Sequence, residues 1–138
     1  MAKDLTPYTT GQRLNIGTID AAYTVLQSDS SKVFMLDGGP YDITLPAAAD
    51  LQEGWYCKFV VRPANPAGDI EIAAGSAIVD IVGVDIAQND GPSSAGTANS
   101  NLIIGTACKQ GDYIDMFHDG TTWYAESMSS TAGSITTS

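Results

Sequence analysis

Residues 33–61, VFMLDGGPYDITLPAAADLQEGWYCKFVV, decide the fold. The stretch opens with the apolar run Val33-Phe34-Met35-Leu36 and breaks at Asp37-Gly38-Gly39-Pro40. It restarts as Tyr41-Asp42-Ile43-Thr44-Leu45 and stops at Pro46. After a bridge of small residues, Trp55, Cys57, Phe59 and Val61 fall on one face, and Tyr56, Lys58 and Val60 on the other. Period two is the spacing of a strand, because successive side chains point to opposite sides of a sheet. Three strands separated by turn residues predict an antiparallel meander, and the rest of the chain continues in that style.

Working outward, Ala21 to Leu26 predicts a short strand ending in the turn Ser28-Asp29-Ser30-Ser31. Residues 1–20 are polar and lack periodicity. They read either as terminal disorder or as an extended arm, for which Leu14, Ile16 and Ile19 supply apolar anchors to a partner. On the other side, residues 62–68, with two prolines and a glycine, form a loop. Asp69 to Ile72 alternates and is expected to turn at residues 73–76. Ala77 to Ile86 reads as one strand, or as two hinged at Gly83. Residues 87–100, AQNDGPSSAGTANS, form a long polar loop, and Asn101 to Thr106 is a strand. The strongest local signal is the hairpin Tyr113 to Phe117, His118-Asp119-Gly120-Thr121, Trp123 to Glu126. Asp-Gly suits its turn, since glycine takes positive φ without a Cβ clash. The Ser/Thr-rich end, 129–138, is expected to be flexible. No long helical period exists, and residues 47–52 offer one turn at most. The expectation is an all-β domain at 21–128, an antiparallel β-sandwich, jelly roll or small barrel, with an extended N-terminal arm over 1–20.

The 138 residues fit one domain able to bury a real core. Six Lys and Arg against sixteen Asp and Glu give a net charge of −10, which repels phosphate backbones and argues against a nucleic-acid partner. No apolar run has membrane-spanning length, and MAKDLTPYTT is not a signal peptide. Cys57 and Cys108 are too few for a disulfide scaffold. Cys57 reads as a buried thiol, while a single bridge between the two stays open.

Chemistry-bearing motifs are scarce. There is no nucleophile elbow, phosphate loop or dinucleotide fingerprint. His118, the only histidine, reads as an exposed hairpin tip rather than a metal ligand. Asp112 and Asp115 could be drawn as a glycosidase pair, but Asp112 fits better as a cap on the turn after Gly111. Asp85, Asn89 and Asp90 lack the spacing of a calcium loop. The tryptophans and tyrosines read as core and strand-end residues before they read as a sugar groove. No catalytic residue, cofactor or metal is expected, and the chain reads as a packing protein rather than an enzyme.

With those residues in view, the chain resembles a β module found in structural proteins of tailed bacteriophages. The likeness is carried by SDSSKVFMLDGGPYDITLPA (28–47), by Gly54 to Val61, and by GDYIDMFHDGTTWYAES (111–127). Such modules occur in capsid decoration (cement) proteins and in tail-fibre or tailspike tips, usually as trimers. A short arm leading directly into the module favours decoration. The resemblance therefore implies a structural virion protein, a homotrimer on the capsid exterior, with the arm on the major capsid protein. The alternative is a receptor-binding or carbohydrate-binding module using the 87–100 loop and exposed aromatic residues.

Overall fold

The computed structural model describes residues 14–85 and 98–138. Among the described residues there are ten strands: β1 (Asn15–Ile19), β2 (Tyr23–Thr24), β3 (Lys32–Leu36), β4 (Tyr41–Thr44), β5 (Trp55–Val61), β6 (Ile70–Asp85), β7 (Ala98–Ile104), β8 (Tyr113–His118), β9 (Trp123–Ser129) and β10 (Ile135–Thr137). Two single 3-10 turns, Gln27–Asp29 and Ala48–Asp50, are the only helical pieces among the described residues. The strands build two mixed sheets packed face to face, so the all-β sandwich expectation holds.

Sheet I has the order β1-β3-β5-β8-β9-β6, and sheet II the order β2-β4-β6-β7-β10. β6 belongs to both. Its residues 70–73 pair with β4 in sheet II, and residues 78–85 pair with β9 in sheet I. The expected turn at 73–76 is instead a register irregularity inside one continuous strand. Gly75, at φ +65°, takes the left-handed conformation that bends the strand there.

Strand direction departs from the meander. β1, β3 and β5 run parallel in sheet I, and β2, β4 and the first part of β6 run parallel in sheet II. The chain thus winds through three coils, each laying one strand in each sheet. A parallel pair needs a crossover between its strands, and here the crossover is itself a strand of the opposite sheet. The corners explain why the chain crosses rather than folding back. A Cβ on Gly39 (φ +118°) would stand 2.5 Å from the Gly68 carbonyl oxygen, and one on Gly68 would stand 2.7 Å from Pro40. The 37–40 and 62–68 corners therefore stack backbone on backbone, tied by a hydrogen bond from Ala67 N–H to Gly38 O at 3.1 Å. Antiparallel pairing, as expected, governs β5-β8-β9 and β6-β7-β10.

The core lies between the sheets. Phe34 and Phe59 face each other in register and stack at 5.4 Å. Ile43, Ile72, Leu102 and Ile104 answer them from sheet II, each 2% exposed or less. Burying one such side chain contributes about 1.5–3 kcal/mol. Tyr41 of sheet II crosses the core to donate its hydroxyl to Ile19 O of sheet I at 2.9 Å.

The two ends of the chain differ from expectation. Residues 1–13 lie outside the described residues, but 15–19 of the expected arm form β1 of sheet I. The 129–138 segment is not loose. β10 pairs with β7, Ser134 O accepts from Gly105 N–H at 2.8 Å, and the buried Ser129 and Ser134 hydroxyls bond to each other. One isoleucine gives little periodic signal, so this closure was invisible in the pattern.

Candidate functional site

Three places have the side chains to meet another molecule: the free edge at β1, the outer faces of the two sheets, and a cleft beside Trp55.

β1 pairs only with β3, so its other edge has no strand partner among the described residues. Leu14 is 72% exposed and Ile16 59%, and Leu26, just after β2, is 55% exposed. These three belong to the first coil, and among the described residues no further coil covers that end. Ile19, the third expected anchor, is only 3% exposed and sits in the core with Val25 and Leu36. Its parity explains the split: Gly17 and Ile19 face inward opposite Phe34 and Leu36, while Ile16 and Thr18 face outward.

The outer face of sheet I carries three rows set by strand register. The first is Thr18, Met35, Val60, Tyr113 and Met128. The second is Ile16, Val33, Lys58, Asp115 and Glu126. The third is Tyr56, Phe117 and Tyr124, in which Phe117 and Tyr124 stack at 5.1 Å and Phe117 is 40% exposed. Lys58 Nζ lies 3.2 Å from Asp115 and 3.8 Å from the Tyr113 ring centroid. The Tyr56 hydroxyl donates to Asp115, and burial together with that carboxylate raises the phenol to about 12.

The outer face of sheet II is polar. One row is Asp42, Glu71, Ile103 and Thr136, and the other is Thr24, Thr44, Ala73 and Asn101. This is the composition of a sheet face left in water.

The cleft, about 380 Å³, is lined by Gln27, Ser30, Gln52, Glu53, Gly54 and Trp55. Trp55 is 5% exposed and donates Nε1–H to Gln27 O at 2.8 Å, so its ring forms the floor rather than an open platform. Behind it, register aligns Trp55, His118 and Trp123 across three strands. Trp123 packs edge-on to Trp55 at 5.4 Å and to His118 at 5.0 Å. His118 is fully buried, contrary to the exposed-tip expectation. Ile114, Met116 and His118 share inward parity, and the strand runs on through His118 before the turn begins. His118 Nδ1 accepts from Gly120 N–H at 3.1 Å.

The remaining candidates have structural roles. Asp112 accepts from Lys109 N–H at 2.8 Å and Ser130 N–H at 3.0 Å, so it caps its turn as expected and also holds the chain's end. Asp115 stands on the outer face with Lys58, while Asp112 is buried, and nothing pairs the two as acid and base. Cys57 and Cys108 are both free and buried, and burial pushes both thiols up. No group of three or more metal-ligating side chains occurs among the described residues. Asn89, Asp90 and most of the 87–100 loop lie outside them. No helix among them is long and apolar enough to cross a membrane.

Fold and surface together define a mixed β-sandwich with one polar outer face, one outer face of aliphatic and aromatic rows around a charged row, and, among the described residues, an unpaired β1 edge. No family model, no curated protein and no solved structure matches the chain.

Proposed function

We propose that the chain is a structural assembly module, a head-decoration protein of a tailed bacteriophage, that joins its own copies as a trimer and holds the exterior of the capsid. The observation that carries this reading is where the exposed apolar side chains sit. Leu14, Ile16 and Leu26, three of the four large exposed ones among the described residues, belong to the first coil, with Leu14 and Ile16 at the β1 edge and Leu26 just after β2. An open edge offers unpaired N–H and C=O groups to an extended segment, and apolar side chains beside it add affinity. Leu14 and Ile16 are the contacts assigned to the major capsid protein, and Ile19 anchors the strand from inside. Many weak contacts repeated by symmetry then resist shell expansion without any reaction centre.

The carbohydrate-binding alternative loses its tryptophans. Trp123 is fully buried and Trp55 nearly so, and neither presents a ring for a sugar to stack on.

Quantitative mass spectrometry of particles purified from the source tests the reading. Copies in the hundreds per particle, located on the head, are expected. A handful at the tail favours an adhesion module instead.

A further inference from the structure

We infer that the outer face of sheet I is the surface through which copies of this chain associate. The inference deepens the assembly reading above, and rests on it only in that copies meet. The molecule supplies its own control: sheet II shows what this protein places on a sheet face meant for water. There the outward positions are Asp42, Glu71, Thr24, Thr44 and Asn101, relieved by Ala73 and Ile103. On sheet I the outward positions of β5 and β8 alone include Tyr56, Val60, Tyr113 and Phe117. Solvated sheet faces alternate apolar-in with polar-out, and sheet I breaks that rule in two rows, Met35-Val60-Tyr113-Met128 and Tyr56-Phe117-Tyr124, that flank the paired Lys58 and Asp115, which marks an interaction site.

Charge selects a second copy as the occupant. The chain carries −10 overall, so two copies repel wherever acids are dense. Among the described side chains, the sheet I face holds one cation, Lys58, and two carboxylates, Asp115 and Glu126, and Lys58 is already paired with Asp115 in the plane of the face. Copies of an acidic protein meet there with little repulsion. A basic partner is drawn elsewhere. The size also fits: five strands about 4.8 Å apart and about 20 Å long present roughly 500 Å² in projection. Side-chain relief brings that toward the ~800 Å² per partner of a stable interface. Aromatic residues such as Phe117 and Tyr124 are the type that carries binding energy in such patches.

The test is size-exclusion chromatography with light scattering on the full chain, run across a dilution series. The wild type is expected at a multiple of 14.4 kDa. Phe117→Lys, and separately Val60→Lys, are expected to weaken association by about tenfold or more, while circular dichroism and the melting curve of the monomer stay native. Ile103→Lys places the same charge on the outer face of sheet II and is expected to leave the mass unchanged. Should either sheet I variant lose its fold, the milder Tyr124→Ser serves in its place. A wild type that stays monomeric throughout, or folded sheet I variants that keep the wild-type mass, overturns the inference. The two readings fail separately. Tail location with dissociation by Phe117→Lys sinks the decoration reading alone, whereas head location with an intact Phe117→Lys oligomer sinks this face alone.

Discussion

The outer faces of sheets I and II are built on the same backbone plan and carry opposite chemistry. Sheet II sets Asp42 directly beside Glu71 in parallel register, an arrangement that costs little only because water screens it. Sheet I instead pairs Lys58 with Asp115 and flanks that row with aliphatic and aromatic rows. Both sheets bury their inner faces equally well, so the contrast has nothing to do with the core. A β-sandwich needs only two apolar faces, and this one has three. The third is not needed to close the core of an isolated chain, and it is the face assigned to association in the proposal above.

The largest effect is expected where the two sheets are tied. Asp29, 5% exposed, sits at the corner between β2 of sheet II and β3 of sheet I. Its carboxylate accepts from the Tyr23 hydroxyl at 3.0 Å, Leu26 N–H at 2.9 Å and Lys32 Nζ at 2.7 Å. Burial works against the charged form, but these three donors outweigh it and hold the carboxyl below its ordinary value, while the carboxylate raises Lys32. Asp29→Ala strands these partners and is expected to cost about 2–3 kcal/mol near neutral pH. A depressed carboxyl stabilises above its unfolded value, near about pH 4, and that share vanishes as pH falls through the folded value. Urea melts of wild type and variant should therefore differ most from about pH 5 to 9 and converge in acid. A gap that persists unchanged at low pH breaks the assignment of the corner to this charge.

How much of this was legible depends on what periodicity can encode. The β5 alternation of Trp55, Cys57, Phe59 and Val61 told inside from outside, and the Asp119-Gly120 turn placed the β8-β9 hairpin. Neither says which strand lies alongside, so the parallel coils went unseen. They are accompanied by the contact of Gly39 with Gly68, 29 residues further along the chain. His118 was readable from Ile114 and Met116 by parity, but the turn residues beside it pulled it to the surface. Ile19 resembles Leu14 and Ile16 in being apolar, which suggests one arm contact for all three, whereas strand parity divides them. The third apolar face was visible as Tyr56 and Val60 around Lys58. It became a patch only once register set β8 and β9 beside them.

A smaller effect is expected from the aromatic row. Phe117 and Tyr124 are opposite in the β8-β9 register and stack at an interplanar angle of 14°. Within a monomer, a double-mutant cycle of Phe117→Ala and Tyr124→Ala should give a coupling of about 0.5–1.5 kcal/mol. Measured above the association concentration, the single substitutions should cost more than they do in dilute monomer. Equal costs at both concentrations place this row in water, as on sheet II, and erase the difference between the faces.

The smallest effect belongs to sheet II. Two like charges about 6 Å apart in water repel by about 0.7 kcal/mol, less at physiological salt. Replacing Asp42 with Thr removes the repulsion from Glu71 and adds a residue suited to an exposed strand. Asp42→Thr should therefore raise stability by about 0.5 kcal/mol, with the gain shrinking as salt is added. The oligomer mass should not change, because the proposed association uses the other face. If the substitution instead destabilised the fold or disturbed assembly, Asp42 would be engaged by a partner. Sheet II would then be a second binding face rather than the solvated reference against which sheet I stands out.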